Sequence, residues 1–266
     1  MTHAFFRSDR PLVFAHRGGS ALAPENTLAA FDRGMASGAD GLELDVHLSR
    51  NGVVVVHHDR RLERTTNLEG FVADRTADEL ARADAGWHFR RGHDFPFRGK
   101  EIGVPTLAQV LARYPDVRIV IELKVNRPDF ARAVLEVVAA AGAVDRVCLG
   151  SFGFRVLRAA RALEPAAATS ASREEVRWAL YRSWWHLPLW RVPYDGFQVP
   201  EVSGRTRVVS PRFVHAAHRA GLGVQVWTVD TEEDARRLLD WGADALITDR
   251  PDIIVPVRDA VCAHRR

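Results

Sequence analysis

Residues 38–47, Gly38-Ala39-Asp40-Gly41-Leu42-Glu43-Leu44-Asp45-Val46-His47, carry a helix stop followed at once by a strand. Glycine adopts the left-handed conformation that ends a helix at little cost. The residues after it alternate, so Leu42, Leu44 and Val46 share one face while Glu43, Asp45 and His47 share the other. The same joint recurs as Gly242-Ala243-Asp244 before another strand-like run, and Gly142 and Gly221 stand at two more. Repetition of one small helix-to-strand unit favours a barrel over an open sheet.

Working outward from this joint, short β-branched runs alternate with helical patterns along the whole chain. Strands are expected near 12–16, 41–47, 118–124, 147–152, 166–170, 196–199, 223–229 and 245–248. Eight is the number that closes a parallel barrel, and 266 residues is an ordinary length for one. Leu28, Phe31 and Met35, or Ala235, Leu238 and Trp241, show the apolar spacing of the intervening helices. The expected class is therefore α/β: one domain over residues 1–266, a TIM-type (β/α)8 barrel.

One segment breaks the rhythm. Asn51-Gly52 signals a two-residue hairpin turn with both φ angles positive. Pairing Arg50 with Val53 and counting outward sets Asp45 opposite His58 and points His57 away. The hairpin and the Arg-, Gly- and Phe-rich stretch beyond it, about residues 49–105, read as an insertion after the second strand.

Hydrophobic residues at 47% and charged ones at 27% give the balance of a soluble globular protein. A net charge of +3 concentrates no basic patch, and no groove of spaced Lys, Arg and aromatic residues is visible, so no nucleic-acid partner is expected. An anionic small molecule fits this balance. Cys148 and Cys262 are too few for a disulfide framework and suit a reducing compartment. The N-terminal residues lack a signal-peptide pattern. No stretch approaches the roughly 20 apolar residues of a membrane span. The expectation is a cytoplasmic protein without stable membrane insertion, its oligomeric state open.

The chemistry gathers at strand ends. Two acids pointing together from a buried strand, Glu43 and Asp45, repel one another and lose hydration, and a hard cation such as Mg2+ or Ca2+ resolves both problems. Glu122 and Lys124 share a face near the end of 118–124, where barrel active sites collect. Glu122 supplies a third oxygen ligand and Lys124 meets an anion, although a plain Glu–Lys ion pair is the alternative. Ala15-His16-Arg17-Gly18-Gly19 ends the first strand with an acid–base group, a phosphate fork and two glycines that let backbone N–H groups approach an anion. His16 and His58 then flank a substrate as an acid–base pair of the kind a phosphate diester requires. His47 has at most a rim role. His88, His93, His215 and His218 read as surface or packing residues. Trp227 lies near a strand's C-terminal end and is expected to line the pocket. Residues 178–190, WALYRSWWHLPLW, hold four of the seven tryptophans. They read as a helix and loop packed on the barrel's outer wall, with an aromatic lip for a lipid-like or choline-bearing substrate as the alternative.

In order along the chain stand His16-Arg17-Gly18, Pro24-Glu25-Asn26-Thr27, Glu43-Leu44-Asp45-Val46, His58-Asp59, Pro105-Thr106-Leu107, Glu122-Leu123-Lys124, Trp227-Thr228-Val229 and Thr248-Asp249-Arg250-Pro251. Together they resemble the glycerophosphodiester phosphodiesterases over nearly the whole chain. The resemblance implies a β/α barrel with a segment inserted after the second strand, and hydrolysis of glycerophosphodiesters to glycerol 3-phosphate and an alcohol. It places the family's catalytic histidines on His16 and His58, its metal-binding acids on Glu43, Asp45 and Glu122, and phosphate contacts on Arg17 and Lys124. It implies one divalent cation, Mg2+ or Ca2+, bound to a phosphate oxygen and a glycerol hydroxyl. One histidine deprotonates that hydroxyl for attack on phosphorus, the other protonates the leaving alcohol, and a cyclic phosphate then opens with water. Asn26 supports the site through an unassigned partner. The basic, aromatic stretch 86–103 departs from the family pattern and bears on head-group preference. Two other readings stay open: a lysophospholipase D-like lipid phosphodiesterase, and a non-catalytic barrel that binds phosphorylated metabolites.

Overall fold

Parallel strands can only be joined by long crossovers, and here helices supply them. The computed structural model describes residues 2–264. Its strands are β1 (Leu12–His16), β2 (Gly41–Leu48), β3 (Val54–Val56), β4 (Arg118–Leu123), β5 (Val147–Gly150), β6 (Ala168–Thr169), β7 (Gly196–Pro200), β8 (Val202–Ser203), β9 (Thr206–Arg207), β10 (Gly223–Trp227) and β11 (Ala245–Thr248). Its helices are α1 (Leu28–Ala36), α2 (Ala77–Ala81), α3 (Leu107–Arg113), α4 (Pro128–Ala140), α5 (Phe154–Leu163), α6 (Arg173–Trp184), α7 (Pro211–Arg219), α8 (Glu232–Asp240) and α9 (Pro251–His264). Eight strands run parallel in the order β6-β5-β4-β2-β1-β11-β10-β7, and a parallel bridge from Ser170 to Gly196 draws the two ends together into a nearly closed barrel. The expected TIM-type architecture is what forms. The strands of 147–152, 166–170 and 223–229 are each shorter than their sequence runs.

Strict alternation sorts each strand into two surfaces. Outward, Leu42, Leu44, Val46, Ile119, Ile121 and Leu123 pack under Phe31, Leu107 and Phe130, while Val224, Val226 and Leu246 pack under Phe213 and Leu238 on the opposite side. Burial on both faces is why these strands read as nearly continuous apolar runs. Inward, the lower positions Leu12, Phe14, Val120, Cys148, Ala168, Ala245 and Ile247 cluster with Phe5 and Phe6 from the turn Ala4–Phe6, which plugs the barrel floor. Gly196 and Gly223 make the room: a Cβ on either would lie 2.6 Å from the Phe6 ring.

The recurrent Asp before a strand has a structural use. Asp40 accepts the Val13 N–H at 2.8 Å, Asp195 that of Thr169 at 2.9 Å and Asp244 that of Val224 at 2.7 Å, each tying one strand's start to its neighbour. Buried Arg258 of α9 closes the floor by pairing with Asp40 and donating to the Pro11 carbonyl at 3.0 Å.

The hairpin register differs from the sequence count. Val46 pairs with Val56 and Leu48 with Val54, so His57, not His58, stands opposite Asp45 and donates its backbone N–H to the Asp45 carbonyl at 2.9 Å. Of Asn51 and Gly52 only Gly52 has a positive φ, 76°. Gly52 N–H bonds the Ser49 carbonyl at 3.0 Å, the three-residue loop with a left-handed glycine rather than the two-residue turn. Beyond β3 the chain leaves the strand, and this bend turns His58 back toward the barrel. Residues 57–106 add α2 and a small core of Leu62, Val72, Leu80 and Val104 against Val55. The stretch 86–103 folds on itself, with Arg98 stacked between Trp87 and Phe95. The hairpin β8–β9 was not legible in the sequence.

Candidate active site

The C-terminal ends of the strands carry the charged interior positions. His16 ends β1, Glu43 and Asp45 lie inward on β2, Glu122 on β4 with Lys124 just beyond it, and Trp227 ends β10. Register sets them side by side, His16 against Glu43 and Asp45 against Glu122. With Arg17 and His58 they line a cavity of about 690 Å3. All eight residues singled out in the sequence therefore line one cavity, Trp227 at the opposite end from the acids and histidines.

Glu43, Asp45 and Glu122 each bring a carboxylate oxygen within 4.8 Å of the others. The charges around them are uneven. Asp45 accepts the Asn26 side-chain N–H at 2.8 Å and pairs with Lys124 at 2.8 Å and Arg17 at 3.3 Å; burial pushes its carboxyl up, but the Lys124 and Arg17 charges outweigh it and hold it well below the usual carboxylate range. Asn26 also accepts the Asp45 backbone N–H at 3.2 Å, which gives it the partner left unassigned above. Among the described residues, Glu43 has only the Arg17 backbone N–H at 3.1 Å and the His16 ring at 3.8 Å. Burial, then the charge of Asp45, push its carboxyl up to about 7. Glu122 Oε1 is buried without a hydrogen bond, although Lys124 Nζ lies 3.1 Å away as an ion pair. Three convergent oxygen donors, one of them buried and short of positive charge, fit a hard divalent cation. Lys124 is thus drawn onto the acids, as the ion-pair alternative foresaw.

Each histidine is aligned by a carboxylate. His16 Nδ1 lies 2.6 Å from Asp249 Oδ1, and His58 Nδ1 lies 2.6 Å from Asp59 Oδ1. A carboxylate can only accept, so Nδ1 carries the proton and Nε2 faces the cavity. Burial lowers the His16 pKa, but Glu43 and Asp249 outweigh it and the net shift is upward. At His58 burial, with Lys124 and Arg17, outweighs Asp45 and the shift is downward. His47 is buried, its pKa lowered to about 4 chiefly by desolvation, and its Nε2 donates to the His58 carbonyl at 3.1 Å. His57 bonds the Asp59 carbonyl at 2.8 Å and Thr65 at 3.0 Å. These two fix the backbone that presents His58. Glu25 accepts from Arg17 at 2.9 Å and twice from Arg64 at 2.7 Å.

The far end of the cavity is formed by Phe152, Leu180, Tyr181, Trp184, Val208 and Trp227. Trp227 stands edge-on to Phe152, centroids 6.1 Å apart. One expectation changes here. Helix α6 is not merely an outer-wall element, because it lines the cavity mouth and leaves Trp178, Trp184 and Trp185 exposed. Residues 86–103 contribute nothing to the lining, which α6 and the β8–β9 hairpin supply at this end.

Residues 16–253 match the model of the glycerophosphoryl diester phosphodiesterase family. The chain belongs to this family. A glycerophosphodiester phosphodiesterase from Caldanaerobacter subterraneus is 32% identical over 255 residues, covering 92% of this chain and 97% of the relative. An uncharacterised Bacillus subtilis protein, YqiK, is 36% identical over 245 residues, covering 90% and 95%. The glycerophosphoryl diester phosphodiesterase domain of a Mycobacterium tuberculosis protein superposes with a TM-score of 0.82 at 25% identity, covering 95% of this chain and 100% of that one. An Oleispira antarctica phosphodiesterase in complex with the product sn-glycerol-3-phosphate gives 0.76 at 28% identity, covering 94% and 97%. As a glycerophosphodiester phosphodiesterase the protein is an enzyme, and its motifs divide by use. Thr27 and Thr106 cap α1 and α3. Thr248 bonds Asp230 at 3.0 Å, leaving Asp249 as the partner of His16. Asp249, Asp59 and Glu25 carry roles that their motifs alone do not reveal. Their signal was position, a carboxylate beside His58 and another just past the last strand.

Proposed function

We propose that the site hydrolyses glycerophosphodiesters to glycerol 3-phosphate and an alcohol through the paired histidines, with one divalent cation, Mg2+ or Ca2+, on Glu43, Asp45 and Glu122. The single observation behind this reading is the meeting of the three carboxylates with His16 and His58 at one end of one cavity. A cation held there supplies charge neutralisation to the phosphate and acidity to a glycerol hydroxyl. Arg17, beside the site, and Lys124 receive phosphate oxygens. One histidine takes the proton of the hydroxyl next to the phosphoester as its oxygen attacks phosphorus. The other donates a proton to the departing alcohol oxygen as the phosphorus–oxygen bond breaks. Asp249 and Asp59 hold each ring so that Nε2 points at the reacting atoms. Opening of the cyclic phosphate by water uses the same two groups in reverse. The product held by the Oleispira antarctica relative accords with phosphate remaining on glycerol.

Glycerophosphocholine tests the reading. Release of choline and glycerol 3-phosphate is expected, and an analogue lacking the hydroxyl next to the phosphoester should be inert. Phosphocholine as product, or turnover of that analogue, would refute the mechanism. An activated leaving alcohol should restore whichever of His16→Ala and His58→Ala has lost the acid and leave the other inactive. Rescue of neither would undo the two-histidine assignment.

A further inference from the structure

Helix α6 and the loop after it hold more exposed aromatic surface than the reaction needs. Trp178, Tyr181, Trp184 and Leu187 face solvent, with Trp185 exposed over 76% of its surface and Trp190 over 73%. A scattered apolar residue means little, but these are grouped. Tyr181 and Trp184 meet edge to face at 5.4 Å, and Trp178 and Trp190 flank one shallow cleft with Phe154 and Arg155. The patch is continuous with the active-site cavity, because Arg177, Tyr181 and Trp184 also line its mouth.

Charge decides what can cover this surface. Residues 173–191 carry Arg173, Arg177, Arg182 and Arg191 against Glu174 and Glu175. Glu175 is already closed on Arg161 at 2.7 Å and on the α6 N-terminus, which leaves Glu174 as the one acid without such a partner against four arginines in this segment. A second copy joined by a two-fold axis would set this patch on itself and bring like charges together. An anionic bilayer complements it: Trp and Tyr rings settle at headgroup level, and arginines meet lipid phosphates. Interfacial binding grows with buried apolar area and with attraction to anionic lipid, and this face offers both. No helix among the described residues is long and apolar enough to cross a membrane.

We infer that the 178–191 face docks the enzyme on anionic lipid surfaces with its cavity mouth against the bilayer. Neither Trp185 nor Trp190 lines the active-site cavity, so substituting them separates docking from catalysis. Sedimentation of the full-length protein with vesicles of phosphatidylcholine alone, and of phosphatidylcholine mixed with phosphatidylglycerol, tests the inference. Binding to the mixed vesicles alone is expected, weakened by salt and reduced on the order of tenfold or more in the Trp185→Ser/Trp190→Ser variant. That variant should keep the wild-type melting temperature and its activity on soluble glycerophosphocholine. In the unaltered protein, bromine-labelled lipid in the mixed vesicles should quench tryptophan fluorescence. Failure to bind the mixed vesicles, equal binding to both vesicle types, undiminished binding of the double variant, or a concentration-dependent dimer that it abolishes would each overturn the inference.

Discussion

The floor and the mouth of the barrel are built from the same strands, two residues apart, and they obey opposite rules. On β1 the inward position changes from Phe14 to His16, and on β4 from Val120 to Glu122. At the floor, Phe5 meets Phe6 and Phe14 with centroids 5.3 and 6.0 Å apart, and Arg258 pairs with Asp40. At the mouth, Glu43 is buried with too little positive charge nearby, and buried Glu122 Oε1 relies on the Lys124 ion pair alone. The difference teaches that one alternating pattern can spend its burial on rigidity below and on stored electrostatic tension above. Removing mouth groups should cost activity and spare stability. Removing floor groups should do the reverse.

The sharpest test of that division is the histidine pair. His16→Ala or His58→Ala should lower kcat by on the order of 10^2–10^4-fold with an ordinary substrate, and leave the melting temperature within a degree or so of wild type. A large loss of stability in either would break the comparison. Phe6→Ala should instead destabilise the fold by about 3–5 kcal/mol in denaturant titration, with kcat/KM of the folded fraction unchanged. Asp249→Asn tests the layer between. It should reduce kcat on the order of 10^2-fold and shift the pH profile, because an amide can present its oxygen or its N–H to Nδ1 and no longer fixes the ring's tautomer.

The smallest effect has the most specific sign. Without a cation, the folded pKa of Glu43 near 7 lies above its unfolded value, so the folded state binds the proton more tightly. Ionised Glu43 then costs stability, a cost absent below the unfolded pKa and complete above about 7. Glu43→Gln should raise the melting temperature of chelator-treated protein by a few degrees at about pH 8 and hardly at all at about pH 4. Cation affinity of the unsubstituted protein should rise with pH through the same window, because the proton must leave before the ion binds. A melting temperature lowered by Glu43→Gln at the higher pH would show that the mouth carries no such tension.

Most of this architecture was legible because period-two alternation is a local signal. The run Leu42 to His47 assigns its faces whatever it packs against, and Gly38-Ala39-Asp40 marks the joint before it. The hairpin register was not legible, because Asn-Gly suits both a two-residue and a three-residue loop, and only Asn51's backbone chooses between them. The two-residue count sets His58 beside Asp45 one position out of register, and the bend after Val56 brings His58 to the site all the same. Asp249 could not be joined to His16 from sequence, since 233 residues separate them and only barrel closure brings them together. The exposed face of α6 was misread for a related reason. Large aromatics usually mark a core, and nothing local in Trp184-Trp185 tells solvent from a neighbouring helix.

Turnover of glycerophosphocholine by the chelator-treated enzyme, before and after restoring Mg2+ or Ca2+, tests the mouth's assignment most directly. The predicted result is negligible release of glycerol 3-phosphate in chelator, recovery with cation, and no recovery in Glu43→Gln. Full turnover in chelator, or cation-restored turnover by Glu43→Gln equal to that of the unsubstituted enzyme, would contradict it.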